Sequence, residues 1–85
     1  EKILKEDKKT LPIMSKYEKA RLIGERAQQI ADGAKPTIIV PQGIKSTIEI
    51  AKLELIQRKI PLIVRRKLSK NNFEDWRIEE FEIIN

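Results

Sequence analysis

Apolar positions return along this chain in two rhythms. From Ser15 onward, Tyr17, Ala20, Ile23, Gly24, Ala27, Ile30 and Ala31 recur every three or four residues, while Lys16, Lys19, Glu25, Arg26 and Gln29 fall mostly between them. That spacing predicts an amphipathic helix with a stripe of unusually small residues. Its start is marked by Ser15-Lys16-Tyr17-Glu18, the S-x-x-E form of a capping box. In such a box the hydroxyl takes a free backbone N–H and the Glu reaches back to the N–H of the cap. Gly33 and Pro36 supply the stop, because Gly suits the left-handed position beyond a helix and Pro cannot continue one.

The second rhythm is shorter. Thr37-Ile38-Ile39-Val40 is β-branched and bracketed by prolines, so it is expected as a buried strand of minimal length. Ser46-Thr47-Ile48-Glu49 reads as another capping box. Behind it Ile48, Ile50, Ala51, Leu53, Leu55 and Ile56 spread over most of a helix circumference, which requires cover on more than one side, and Pro61 sets the limit. Residues 62–68 then read as a strand, Ser69-Lys70-Asn71-Asn72 as a turn and residues 73–78 as the returning strand, with a short last strand at 81–84. The order helix, strand, helix, strand, strand predicts an α+β fold. It is a small single domain with two main helices packed with a short β-sheet that ends in a C-terminal hairpin. Residues 1–10, alternating in charge with only Ile3 and Leu4 apolar, are expected to form a flexible or partner-dependent segment ahead of a domain at 11–85.

Composition narrows the function classes. At 85 residues the chain is near the lower limit for a self-sufficient core, so a partner surface is expected to supply part of its stability. Without cysteine or histidine it has no disulfide, thiolate nucleophile, imidazole base or common zinc-ligand set. Gly24, Gly33 and Gly43 make neither a GxGxxG nor a P-loop. The carboxylates Glu74, Asp75, Glu79, Glu80 and Glu82 cluster near the C-terminus, and without histidine or a Gly-rich frame they read as a solvated face rather than a metal or acid/base site. No catalytic residue, metal or cofactor is expected. The apolar runs are far too short to cross a bilayer, so no membrane is expected either. The formal charge of +5 fits association with nucleic acid or with an acidic protein face.

Three features point to binding. Arg65-Arg66-Lys67 lies on a strand, where Arg65 and Lys67 face one way and Arg66 the other. The cluster fits phosphate contact, docking on an acidic protein surface, or a charged strand that resists edge aggregation. Tyr17 and Arg21 stand four apart on the first helix, as a stacked surface pair or a fixed partner contact. Gly24 costs a helix interior about 1 kcal/mol relative to Ala, and close approach of another backbone would offset that.

Taken together, the run from Leu11 through Tyr17, Arg21 and Gly24 to Ile30 closely resembles the signature helix of the sixth subunit shared by the nuclear RNA polymerases, a family related to archaeal subunit K and bacterial omega. Residues 48–55 and 58–66 resemble its second block, and Phe73-Glu74-Asp75-Trp76 its end. The resemblance implies a non-catalytic subunit that clamps the largest polymerase subunit and promotes assembly within a hetero-oligomer, touching DNA or RNA only indirectly through the complex. By motif position it implies partner contacts at Tyr17, Arg21, Gly24, Arg26 and Ala27 on the helix and at Pro61, Arg65 and Arg66 on the strand. The alternative class is a free-standing basic nucleic-acid-binding module. The chain departs from the nuclear pattern at Gly43-Ile44-Lys45-Ser46-Thr47, at Lys67, at Lys70-Asn71-Asn72 and at Arg77. These departures suggest a divergent lineage. The implied location is the nucleus, or the cytoplasm or virion for a virus-encoded polymerase.

Overall fold

The computed structural model describes residues 8–85 of the chain. Its elements are β1 (Ile13–Met14), α1 (Lys16–Ala31), α2 (Thr47–Ile56), β2 (Ile63–Ser69), β3 (Asn72–Arg77), a 3-10 turn (Ile78–Glu80) and β4 (Ile83–Ile84). This is the expected α+β mixture of two helices and short strands. Residues 1–7 of the expected N-terminal segment lie outside the described residues, whereas Lys8, Lys9 and Thr10 dock on β3.

Both helices begin where their serines predict. The Ser15 hydroxyl accepts from the Glu18 N–H, and Glu18 accepts from the Ser15 N–H, each at 3.0 Å. At Ser46 the hydroxyl accepts from the Glu49 N–H at a longer 3.4 Å. α1 stops as a Schellman motif: Ala34 N–H bonds to the Gln29 carbonyl, Gly33 N–H to the Ile30 carbonyl, and Gly33 takes φ +113°. α2 ends in the same way, with Lys59 N–H on the Glu54 carbonyl and Arg58 N–H on that of Leu55. Here the left-handed residue is Arg58, at φ 60°. Its side chain donates to the carbonyls of Ile78 and Phe81 at 3.0 and 2.6 Å, contacts that offset an unfavourable backbone angle. Pro61 therefore lies beyond a helix already closed.

The strand expected at residues 37–40 does not form. Its prolines remove ladder donors, and the groups left over are claimed elsewhere: Thr37 N–H donates to the Glu54 carboxylate and its hydroxyl to the Lys59 carbonyl. Ile39, expected buried, is 94% exposed. Nor is α2 covered all round, since Ile50, Ala51, Glu54 and Leu55 are buried while Ile48 and Ile56 stay exposed.

β2 and β3 form the expected antiparallel hairpin, with Val64 opposite Trp76, Arg65 opposite Asp75 and Arg66 opposite Glu74. β1, a two-residue strand that no local pattern marks, pairs in parallel with β4. One core joins all of this: Leu22, Ile23 and Ala27 from α1, Ala51 and Leu55 from α2, and Ile60, Val64, Trp76, Ile78 and Phe81 with Met14. Trp76 is buried and stacks on Phe81 with ring centroids 5.3 Å apart. Glu74 corrects the reading of the C-terminal acids as a solvated face. It shares the inward side of β3 with Trp76 and is wholly buried.

Candidate partner-docking site

The period of α1 divides it sharply. Leu22, Ile23, Arg26 and Ala27 turn into the core, and Tyr17, Ala20, Arg21, Gly24, Gln28 and Ala31 line the opposite, exposed side. Tyr17 is 74% exposed. A Cβ built on Gly24 meets nothing within 4 Å, so this stretch of helix backbone lies bare to a depth that any side chain would reduce.

Beside that face runs an open groove of about 710 Å³ between α1 and β2. Ile13, Leu22, Ile63 and Val64 give it apolar walls, and Glu18, Arg21, Glu25, Arg65, Arg66 and Lys67 give it a charged rim. Among the described residues β2 pairs with β3 alone, so its other edge keeps backbone donors and acceptors available toward the groove.

Arg66 fixes the groove's geometry. Its guanidinium donates to both Glu18 oxygens at 2.8 and 2.9 Å, to the Thr10 hydroxyl at 3.0 Å, and to the carbonyls of Leu11 and Ile13 at 2.5 and 2.6 Å. It also lies over the rings of Trp76 and Phe81, at 5.3 and 5.2 Å. A planar, always-charged fork can serve all these partners at once where a lysine could not. Its hydrogen bonds hold the Glu18 carboxyl below the usual carboxylate range, against a smaller upward push from burial.

Two further carboxylates brace the walls. Glu54 in α2 accepts from Arg26 at 2.6 and 3.1 Å and from Thr37 N–H at 2.9 Å, and Arg26 also donates to the Lys35 carbonyl. Burial raises the Glu54 pKa, but these donors outweigh it and the net shift is downward. Glu74 accepts from the Lys9 and Thr10 N–H groups, the Thr10 hydroxyl and the Trp76 indole. Burial again acts upward, yet the donors win and its pKa falls to about 2. Lys8 completes the clasp, 2.8 Å from Glu80 and 4.4 Å above the Trp76 ring.

The residues singled out from sequence thus separate. Tyr17, Arg21 and Gly24 share one exposed face beside the groove, and Arg65 stands on its rim. Pro61 is exposed ahead of β2 and does not line the groove. Arg26 and Ala27 are buried against the chain's own core, and Arg66 is engaged within it. Sequence reasoning missed Glu18 and Glu54 as the anions that Arg66 and Arg26 answer, and Glu74 as a buried acceptor for neutral donors. The signal available was alternation, which places Glu74 on the side of Trp76, and cap position, which fixes Glu18. Among the described residues, no cluster of three His, Cys, Asp or Glu side chains could hold a metal, and no helix is long and apolar enough to cross a membrane.

Residues 8–62 match the family model described as RNA polymerase Rpb6. The subunit RPABC2 of DNA-directed RNA polymerases I, II and III from Schizosaccharomyces pombe is 46% identical over 78 residues, covering 92% of this chain and 54% of the relative. The same-named subunit from Saccharomyces cerevisiae is 45% identical, covering 92% of this chain and 50% of the relative. That from Dictyostelium discoideum is 45% identical, covering 89% and 56%. The chain spans about half the length of the curated relatives it matches.

Proposed function

The chain belongs to the RNA polymerase Rpb6 family, and from that premise we propose that it is a non-catalytic subunit of a nuclear DNA-directed RNA polymerase, docked on the largest subunit and promoting assembly of the complex. The relatives' shared name as subunits of polymerases I, II and III supports membership in such a hetero-oligomer. One observation carries the docking surface. The Tyr17, Arg21 and Gly24 face of α1 is open on the chain's own fold and adjoins a groove with apolar walls and an unpaired strand edge. A small-residue helix face beside a free edge suits close packing of another polypeptide, by side-chain interdigitation on one side and strand addition on the other. Tyr17, Arg21, Gly24 and Arg65 are the direct contacts in this reading. Arg26, Ala27 and Arg66 shape the surface from behind.

Gly24→Val separates docking from folding. Its branch enters open space in the free domain, so the thermal midpoint stays level or rises slightly, since Gly is the poorer helix former. Against a closely packed partner the same branch collides. Co-purification of the variant with the largest polymerase subunit should drop sharply, and undiminished recovery would overturn a contact at this face.

A further inference from the structure

We propose that the outward face of the β2–β3 hairpin is a contact surface for single-stranded nucleic acid, which shares Arg65 and Lys67 with the rim of the docking groove and extends beyond it to Lys70, Phe73 and Arg77. The strand period and register place Ile63, Arg65 and Lys67 of β2 and Phe73, Asp75 and Arg77 of β3 on the side away from Val64, Glu74 and Trp76. Lys70 stands at the turn. Four exposed cations therefore share this face and tip with one carboxylate, that of Asp75, whose two oxygens accept from Arg65 at 2.8 and 3.1 Å. In register Lys67 pairs across with Phe73 and Arg77 with Ile63, so neither has a carboxylate directly opposite it on the neighbouring strand.

Phe73 decides what kind of anion such a face would take. It lies on the solvent side, 42% exposed, with the Arg65 guanidinium 5.4 Å from its ring centroid. Asp75 holds that guanidinium by a two-point contact, which leaves a flat cation and an aromatic ring side by side. Unpaired bases stack on both kinds of surface. Lys67 and Lys70 lie at the Phe73 end of the hairpin, and Arg77 lies four residues along β3, about 13 Å away. Phosphates on either side of a stacked base would meet a cation at each end. A duplex hides its base faces and an acidic protein surface has no base to stack, so the ring favours single strands over both.

The test is fluorescence anisotropy of labelled oligo(dT) with the full 85-residue chain, titrated across salt concentration. Binding should be weak and salt-sensitive. Neutralising Lys67, Lys70 and Arg77 together to Gln should reduce the log–log salt slope by about two, at about 0.7 per phosphate contact. Phe73→Leu should lower affinity about fivefold or more while leaving the slope unchanged, because a stacking contact releases no counterions. Lys45→Gln with Lys52→Gln, outside the hairpin, should change binding little. The proposal is overturned if Phe73→Leu binds as the parent does, if a duplex of equal charge binds equally, or if the Lys45 and Lys52 pair costs as much as the hairpin set. Displacement of oligo(dT) by polyglutamate at equal charge would reassign the face to an acidic protein.

Discussion

Glu74 shows how much one buried carboxylate can organise. Its two oxygens collect donors from Lys9, Thr10 and Trp76, and its pKa is held near 2, below an ordinary value of 4.5. Because the folded-state pKa is depressed, the unfolded chain binds the proton more readily. The associated stability is complete above about pH 4.5 and is lost as pH falls toward 2. Urea unfolding followed by the fluorescence of Trp76, the sole tryptophan, should show its midpoint falling over that window. Glu74→Gln should be less stable at neutral pH and have a flatter acid limb; an unaltered acid limb would mean that other carboxylates dominate. At this scale the sequence was partly legible. Trp76 suits the core by residue type alone, whereas the carboxylates around Glu74 in the chain mask the alternation that sets it inward.

Elements with local signals were readable, and those defined by distant partners were not. Ser15 and Ser46 announced both helices, Gly33 the end of the first, and the Ser69 to Asn72 turn the hairpin. β4 falls within the last strand expected at 81–84, whereas its partner β1, which pairs with it across nearly the whole chain, carries no local signal. Residues 37–40 had a strand's composition and no strand to join, and their polar groups went to Glu54 and Lys59 instead. The Arg26–Glu54 pair belongs to this scale too, since it fastens α1, α2 and the loop between them with both side chains almost wholly buried. Arg26→Ala strands a buried carboxylate and should cost about 3–5 kcal/mol in denaturant unfolding. Arg26→Met combined with Glu54→Leu should recover much of that loss, and a double variant no better than the single would show that the charges matter beyond their mutual compensation.

The described residues form an elongated body, 42 by 23 by 21 Å, around a single core drawn from both helices and the strands. Chains of this size have only about 5–15 kcal/mol of net stability, often at the lower end. Phe81 sits where that core meets β4, stacked on Trp76 and beneath the guanidinium of Arg66. Phe81→Ala should cost about 3–5 kcal/mol, enough to leave the free chain close to its unfolding threshold. A bound partner would restore the folded population by mass action. A melt of the variant alone and then with the largest polymerase subunit, the proposed partner, should show that recovery, and an equally low midpoint in both would argue against the docking. The groove follows from this global arrangement: its apolar walls come from β1, α1 and β2, which no local pattern sets side by side.

The pairing of β1 with β4 also determines how the protein would bear a load. The two strands run in the same direction and are joined through the Pro12 carbonyl to Glu82 and Ile83 N–H and through the Met14 carbonyl to Asn85 N–H. Pulling the two ends of the chain apart would slide these strands past one another, so the bonds would be stressed lengthwise and together instead of peeling open in turn. By this geometry the fold would resist tension best along the common direction of these two strands.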